Sequence, residues 1–93
     1  MNKKELLSKT SNETGFAHVL IESAFDEIIR IIADEIEAGR EVTISGFGNF
    51  SSKFIKGKEK VHNITKEIIN VPDRLDPRFK FSTAFKKRIN SKN

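Results

Sequence analysis

The first 39 residues place apolar side chains at the three- and four-residue spacing of amphipathic helices. One helix is predicted from Asn2 to Thr14, because asparagine is a good N-cap and Gly15 can adopt the left-handed conformation that ends a helix. A second helix is predicted from about His18 to Ala38, and Gly39 follows as its C-terminal glycine.

The second predicted helix is apolar over more than one face. One stripe at helical spacing consists of Ile21, Phe25, Ile28, Ile32 and Ile36. Leu20, Ala24 and Ile31 widen the apolar surface beyond that stripe. A chain of 93 residues buries only part of its surface on folding, so its own core is marginal. We therefore expect this helix to pack both on the chain's own sheet and on a second subunit.

Beyond the second helix the pattern changes to the alternation of half-buried strands. Val42–Ser45 and Asn49–Ile55 are predicted as a hairpin around Gly46-Phe47-Gly48. Glycine adopts positive φ in such a turn at little steric cost, and the phenylalanine between the two glycines can pack in a core. A third, short strand is predicted at Arg78–Phe81, followed by a helix for which Ser82 is the N-cap.

The stretch between the second and third predicted strands is rich in lysine and poor in large apolar side chains. It is predicted to form a two-stranded arm, with Lys53–Gly57 going out, Lys66–Val71 returning and a tip near Val61–Thr65. The alternative is a disordered basic loop. The whole chain, residues 1–93, is then a single domain with a helical part at 1–39, a sheet at 40–81 that carries the arm at about 53–71, and a C-terminal helix at 82–93.

Charge is distributed unevenly along the chain. Residues 1–50 contain five basic and nine acidic residues, a net charge of −4, whereas residues 51–93 contain twelve basic and four acidic residues, a net charge of +8. This asymmetry favours a scaffold that carries a binding surface for a polyanion such as nucleic acid. A solvated basic face without a partner is the plainer alternative.

The residue types present argue against several other functions. The chain has no cysteine, and His18 and His62 are far apart without a ligand pattern, so neither metal nor cofactor is expected. No nucleophile–base pair points to an enzyme or a small-molecule substrate, and Asp34, Glu35 and Glu37 are better explained as a solvated acidic face. No apolar run approaches the about 18 residues of a membrane span, and no leader peptide opens the chain. These features predict a soluble intracellular protein without a membrane partner.

Several short motifs spread over the whole chain are found together in one family. They are Met1-Asn2-Lys3-Lys4-Glu5-Leu6, Thr14-Gly15, Gly39, Gly46-Phe47-Gly48-Asn49-Phe50, Pro72, Pro77 and Phe79-Lys80. With these motifs the sequence resembles the bacterial HU/integration host factor (DNABII) family of histone-like DNA-bending proteins.

The resemblance implies an α+β fold, an intertwined dimer with a helical base, a β-sheet saddle and a protruding two-stranded β-ribbon arm per subunit. It implies a cytoplasmic, nucleoid-associated protein that compacts or bends double-stranded DNA through the minor groove, mostly without sequence specificity. The basic residues at or near the family's DNA-contacting positions are Lys3, Lys53, Lys56, Lys58, Lys60, Lys66, Arg74, Arg78, Lys80, Lys86 and Lys87. Phe47, Phe50 and Phe79 are expected in an aromatic core shared by the dimer, whose second subunit is another copy or a related paralogue.

The arm tip departs from the family pattern. The family usually has Arg-Asn-Pro-x-Thr-Gly there, with the proline wedged between base pairs, whereas Asn63 stands at the proline's position in this chain. One hypothesis is that Ile64, or else Val61, supplies an apolar wedge. The competing hypothesis is that the protein bends DNA little and holds it by phosphate contacts. His62 could reach a phosphate or a base edge, or be an exposed residue without a role.

Two other functions are compatible with parts of the sequence. A protein-interaction or assembly module of the same fold, with weak or no DNA bending, would explain the missing proline, although the charge of the C-terminal half argues against it. Binding of single-stranded DNA or RNA would need aromatic side chains as a stacking platform, and this chain needs its aromatic residues for the core.

Overall fold

The computed structural model describes residues 1–61 and 64–91. Within these residues the chain forms three helices and five strands. In chain order they are α1 (Lys3–Thr14), α2 (His18–Glu37), β1 (Val42–Ile44), β2 (Gly48–Ile55), β3 (Lys58–Val61), β4 (Ile68–Val71), β5 (Arg74–Phe81) and α3 (Thr83–Asn90). The chain divides into two compact units, Met1–Ala33 and Asp34–Asn93.

Local capping sets both ends of α1, as the sequence predicted. The side chain of Asn2 accepts a hydrogen bond from the Glu5 N–H at 2.9 Å, which satisfies a backbone donor that has no partner inside the helix. At the other end Gly15 has φ 80°, and its N–H donates to the Ser11 carbonyl at 2.9 Å.

Helix α2 is confirmed within a residue of its predicted end, with Gly39 in the left-handed region at φ 79°. Much of its apolar surface stays in contact with water in the single chain. Ile32 is buried, with 8% of its surface exposed, but five other large apolar residues are 47–71% exposed: Val19, Leu20, Ile28, Ile29 and Ile31. An apolar surface of this kind is typical of an interaction face.

A three-stranded antiparallel sheet in the order β1-β2-β5 forms the centre of the second unit. The predicted hairpin is present, with Gly46 at φ 77° in its turn. The third strand is longer than predicted, because β5 begins at Arg74 rather than Arg78 and pairs along its full length with β2. Pro77 can lie within this strand because β5 is at an edge of the sheet, where a residue without an N–H need not break a hydrogen bond between strands.

The predicted outgoing strand of the arm was wrong. Lys53 and the residues to Ile55 belong to β2 and pair with β5, whereas the arm is a separate two-stranded sheet of β3 and β4. The outgoing strand is therefore Lys58–Val61, and the returning strand begins at Ile68 rather than Lys66, which has φ 57°. The strand-like pattern of the sequence continues from β2 toward β3. It therefore could not show where the pairing of β2 with β5 ends and the pairing of β3 with β4 begins.

The close packing of Phe79 against Gly48 generates a prediction about stability. A Cβ added to Gly48 would lie 2.5 Å from the Phe79 ring and 2.7 Å from the Lys80 carbonyl oxygen. We expect Gly48→Ala to lower the free energy of unfolding by about 1–3 kcal/mol, because the ring and a backbone strand must both shift. Urea unfolding at fixed protein concentration measures this change.

The matched control for Gly48→Ala is Ser45→Ala in the exposed turn of the same hairpin. This substitution is expected to change the free energy of unfolding by no more than about 0.5 kcal/mol. Equal effects of the two substitutions would contradict the assigned role of Gly48.

Candidate nucleic-acid interface

Four candidate basic residues lie on one face of the three-stranded sheet. Alternate residues of a strand point to opposite faces, and directly paired residues share a face. The β2–β5 register pairs Asn49 with Lys80, Ser51 with Arg78, Lys53 with Asp76 and Ile55 with Arg74. We call this side, with Thr43 of β1, the polar face. It brings Lys53 together with three cations more than 20 residues further along the chain, at positions 74, 78 and 80.

A single carboxylate belongs to the polar face on these three strands. It is that of Asp76, which is 3.2 Å from the nearer guanidinium nitrogen of Arg78. Both side chains are about half exposed, so the pair contributes little stability and can exchange its carboxylate for a phosphate. Sequence reasoning missed this pair, although two residues on one strand at a spacing of two necessarily share a face.

Small polar side chains lie between the cations of the polar face. The Thr43 hydroxyl donates to Oδ1 of Asn49 at 2.8 Å, and Ser51 is the next polar-face residue along β2. Hydroxyl and amide groups among basic residues are typical partners of phosphate and sugar oxygens. Their place beside the cations could not be predicted from the sequence, because only the strand register shows that these three residues share a face with Lys80.

The other side of the sheet is apolar and carries the aromatic cluster. Phe47, Phe50 and Phe79 are mutual neighbours, with ring centroids 4.7–6.3 Å apart. Phe81 and Phe85, which were not predicted in this cluster, also pack within it, and their rings stack 4.9 Å apart. These rings contact one another and so do not form an open platform for bases. Phe79 and Phe81 nevertheless remain 39% and 44% exposed in the single chain.

The arm has two different faces. The β3–β4 register pairs Lys58 with Val71 and Glu59 with Asn70, so a lysine lies on one face and a carboxylate on the other. Ile69 shares the face of Lys58 by alternation along β4. Beyond the strands, Lys56 precedes the arm and Lys66 is in its turn, and both are exposed.

Ile64 lies in the turn of the arm and is 88% exposed. The wedge role of Ile64 stays a prediction. The predicted contact residues His62 and Asn63 lie outside the described residues, as do the side chains of Lys60 and Val61.

Lys86 and Lys87 are not on the polar face. They belong to α3, which begins directly after β5 with Ser82 as N-cap, and the Ser82 hydroxyl accepts from the Phe85 N–H at 3.1 Å. Contacts of Phe85 with Phe47 and Phe81 hold this helix to the aromatic cluster on the apolar side. Both lysines are exposed, so they form a second basic region beside the sheet.

Lys3 belongs to the N-terminal unit and already has an acidic partner. Its ammonium nitrogen is 2.6 Å from Oδ1 of Asp26 and 5.9 Å from the centre of the Phe25 ring. The hydrogen bond to Asp26 raises the pKa of Lys3 above its ordinary value. A phosphate that contacts Lys3 therefore has to compete with this carboxylate.

The acidic residues near the end of α2 are also partly engaged. Arg40 donates to the carboxylate of Glu35, at 2.7 Å from Nε, and this hydrogen bond lowers the pKa of Glu35. The predicted solvated acidic face of α2 is thus in part an ion pair.

Neither a metal-ligand cluster nor a membrane-spanning helix occurs among the described residues. No group of three or more histidine, cysteine, aspartate or glutamate side chains among them is placed to hold a metal ion. In the same part of the chain, no helix has both the length and the apolar character required to cross a membrane. A shallow groove of about 240 Å³ beside the β1–β2 turn is lined mainly by small and apolar residues, with Lys80 as its one charged residue.

Known proteins match this chain over nearly all of its length. The family model described as "Bacterial DNA-binding protein" matches residues 1–90. DNA-binding protein HU of Clostridium pasteurianum is 31% identical over 90 residues, which cover 97% of this chain and 99% of that protein. HU of Thermotoga maritima is 29% identical over 89 residues, which cover 96% and 99%.

A solved structure gives the same result for the fold. The structure of Anabaena HU crystallised with DNA matches with a TM-score of 0.77 at 25% identity, and the match covers 96% of this chain and 97% of that chain. The α+β fold with a two-stranded arm is therefore the HU fold, and the resemblance drawn from the sequence motifs is confirmed. From residue 1 to residue 90, this chain belongs to the bacterial DNA-binding protein family that includes HU.

Proposed function

We propose that this chain is an architectural protein that binds double-stranded DNA as a homodimer, mostly without sequence specificity. The observation that carries the proposal is the polar face, where Lys53, Arg74, Arg78 and Lys80 lie together on the sheet from which the basic arm extends. Membership of a DNA-binding family supports the same function and does not favour a protein-interaction module.

Phosphate contacts supply the affinity in this proposal. The polar face and arm present lysine and arginine to the DNA backbone, and the release of counterions from phosphates dominates non-specific binding. The rings of the aromatic cluster pack on one another on the apolar side of the sheet, opposite the cations, so they do not form a stacking platform beside them. The protein therefore recognises a duplex by charge and shape rather than by base contacts, and it associates with the bacterial chromosome as a nucleoid protein.

Dimer formation covers the apolar surface that a single chain leaves in water. The exposed residues of α2 supply one part of that surface, and the part-exposed rings of Phe79 and Phe81 in the aromatic cluster supply another. At about 25 cal/mol per Å² of buried apolar area, covering these residues stabilises a chain whose own core is small. Residues 1–39 thus serve dimerisation, residues 40–81 carry the DNA-binding sheet and arm, and residues 82–93 complete the single domain.

Bending of the duplex is assigned to the arm turn. Ile64 is exposed there, and inserted apolar side chains unstack base steps and kink DNA toward the major groove. Asn63 stands at the family's proline position and is polar, so Ile64 takes the wedge role in this chain.

The electrostatic part of this proposal predicts a steep salt dependence. If each dimer neutralises six to ten phosphates, affinity for a random duplex falls about 10³–10⁵-fold between about 50 and 200 mM salt. Lys80→Gln is expected to weaken binding at every sequence and to reduce the slope of log K against log salt by about one for each phosphate that is no longer neutralised. Fluorescence anisotropy over a salt series measures both effects.

Lys9→Gln is the matched control, because Lys9 carries the same charge but pairs with Glu13 on α1. The slope for this variant is expected to equal that of the wild type. A slope that Lys80→Gln leaves unchanged would contradict the assignment of the polar face as the binding surface.

The wedge predicts a smaller bend in Ile64→Ala. Replacing the side chain by a methyl group removes the apolar contact with the base step, while the net charge of the arm is unchanged. Energy transfer between dyes at the two ends of a duplex measures the bend, and Asn63→Pro, which restores the family's residue, is expected to increase it. An unchanged bend in Ile64→Ala would exclude Ile64 as the wedge.

The pairing of Lys3 with Asp26 predicts that Asp26→Asn binds DNA more tightly. The substitution releases the ammonium group for a phosphate, and we expect a gain in affinity of about two- to fivefold at low salt. Glu13→Gln removes the same charge from α1 and serves as the comparison in the same anisotropy assay. An equal or larger gain from Glu13→Gln would show that net charge, rather than release of Lys3, determines the effect.

A further inference from the structure

The sheet and the arm are joined by two short connections that face each other. The ladder between β2 and β5 ends at the pair Ile55–Arg74, and the arm ladder begins at the pair Lys58–Val71. Between the two ladders lie four residues, Lys56, Gly57, Pro72 and Asp73, which we call the junction. Because proline has no N–H, a continuous ladder of backbone hydrogen bonds cannot cross this point.

A hydrogen bond and a close backbone approach hold the junction together. The Gly57 N–H donates to Oδ1 of Asp73 at 2.6 Å. A Cβ at Gly57 would lie 1.9 Å from the Val71 carbonyl oxygen and 2.7 Å from the carbonyl carbon of Pro72, so a side chain at this position would force the connections apart. The acceptor is a carboxylate, which makes the bond to the backbone N–H charge-assisted and stronger than a neutral one.

We propose that the bond between Asp73 and Gly57 is a latch that positions the arm for DNA binding. Asp73 is a positioning residue here, since it acts through the backbone of the outgoing strand and its negative charge does not favour contact with phosphate. The proposal rests on the proposed function, because it concerns how the arm and the polar face reach the same duplex.

The need for a latch follows from where the cations are. Lys58 belongs to the arm ladder, whereas Lys53 and Arg74 belong to the sheet ladder, so the angle at the junction decides whether both groups meet phosphates at once. A junction that samples many backbone conformations must be ordered on binding, and this ordering opposes affinity. A preformed bond between Asp73 and Gly57 reduces the free-energy cost of ordering the junction. Once either the sheet or the arm has bound a phosphate, the other then meets its phosphates at a high effective concentration.

Two substitutions of one residue separate the hydrogen bond from the charge. Asp73→Asn keeps an oxygen acceptor for the Gly57 N–H, whereas Asp73→Ala removes it. Both remove one negative charge beside Arg74, so any general electrostatic gain in DNA binding is the same in the two variants. The difference between them therefore reports the latch.

The latch is tested first in the free protein by NMR. Amide hydrogen exchange at Gly57 is expected to be at least about fivefold faster in Asp73→Ala than in Asp73→Asn. A rate ratio of this size corresponds to the loss of one hydrogen bond of ordinary strength. The ¹⁵N heteronuclear NOE of β3 and β4 should fall in the alanine variant and stay near the wild-type value in the asparagine variant. Gly57→Ala, which displaces the same strands, should resemble Asp73→Ala. Equal exchange and equal NOE values in both Asp73 variants would overturn the latch.

The same proteins are then compared on a 40-base-pair duplex at one salt concentration. The dissociation constant of Asp73→Ala is expected to be about three- to tenfold higher than that of Asp73→Asn, with a smaller bend by energy transfer. Equal constants and bends in the two variants, with salt-dependent binding by the wild type intact, would overturn the positioning role alone. A wild type that did not bind the duplex would instead overturn the proposed function, and the exchange data would still decide whether the latch exists.

Discussion

Side chains alternate between the two faces of a paired strand, and the register that sets Phe50 opposite Phe79 therefore sets Ser51 opposite Arg78. One set of backbone hydrogen bonds thus builds both the aromatic cluster and the polar face. A slip of one residue would turn rings toward the polar face and cations toward the apolar side. Because the rings pack on one another and on Gly48, that slip is opposed by the burial of the rings as well as by their cross-strand packing.

The aromatic cluster and the apolar surface of α2 explain why the protein functions as a dimer. The chain buries Leu7 and Ile32 well, but many of its other large apolar residues stay partly exposed when it is alone. A small domain gains its stability from a partner in this situation. The acidic first half carries the apolar surface of α2, whereas the basic second half carries the aromatic cluster and the cations that we propose contact DNA.

The arm is the part of the fold that is least stable by itself. An isolated two-stranded ribbon is marginal in water, and within the described residues β3 and β4 contribute four residue pairs. At the junction the Gly57 N–H donates to Asp73 between the two ladders, and we propose that this bond sets the direction of the arm. The proposed wedge and the proposed latch are separate devices, since the first assigns Ile64 to the base step and the second assigns Asp73 to the arm that carries Ile64.

The sequence by itself determined the features that depend on near neighbours. The cap at Asn2, the left-handed Gly15 and the Ser82 cap were all predictable, because each requires only a residue type and a few adjacent backbone groups. Whole-chain motifs also identified the family.

Tertiary structure decided what depends on pairing between distant segments. It placed Lys53 in the sheet rather than the arm, extended β5 through Pro77 and packed α3, the helix that carries Lys86, on the aromatic cluster through Phe85. Strand period is the same in a sheet as in an arm, and only the partner strand decides which of the two a residue joins.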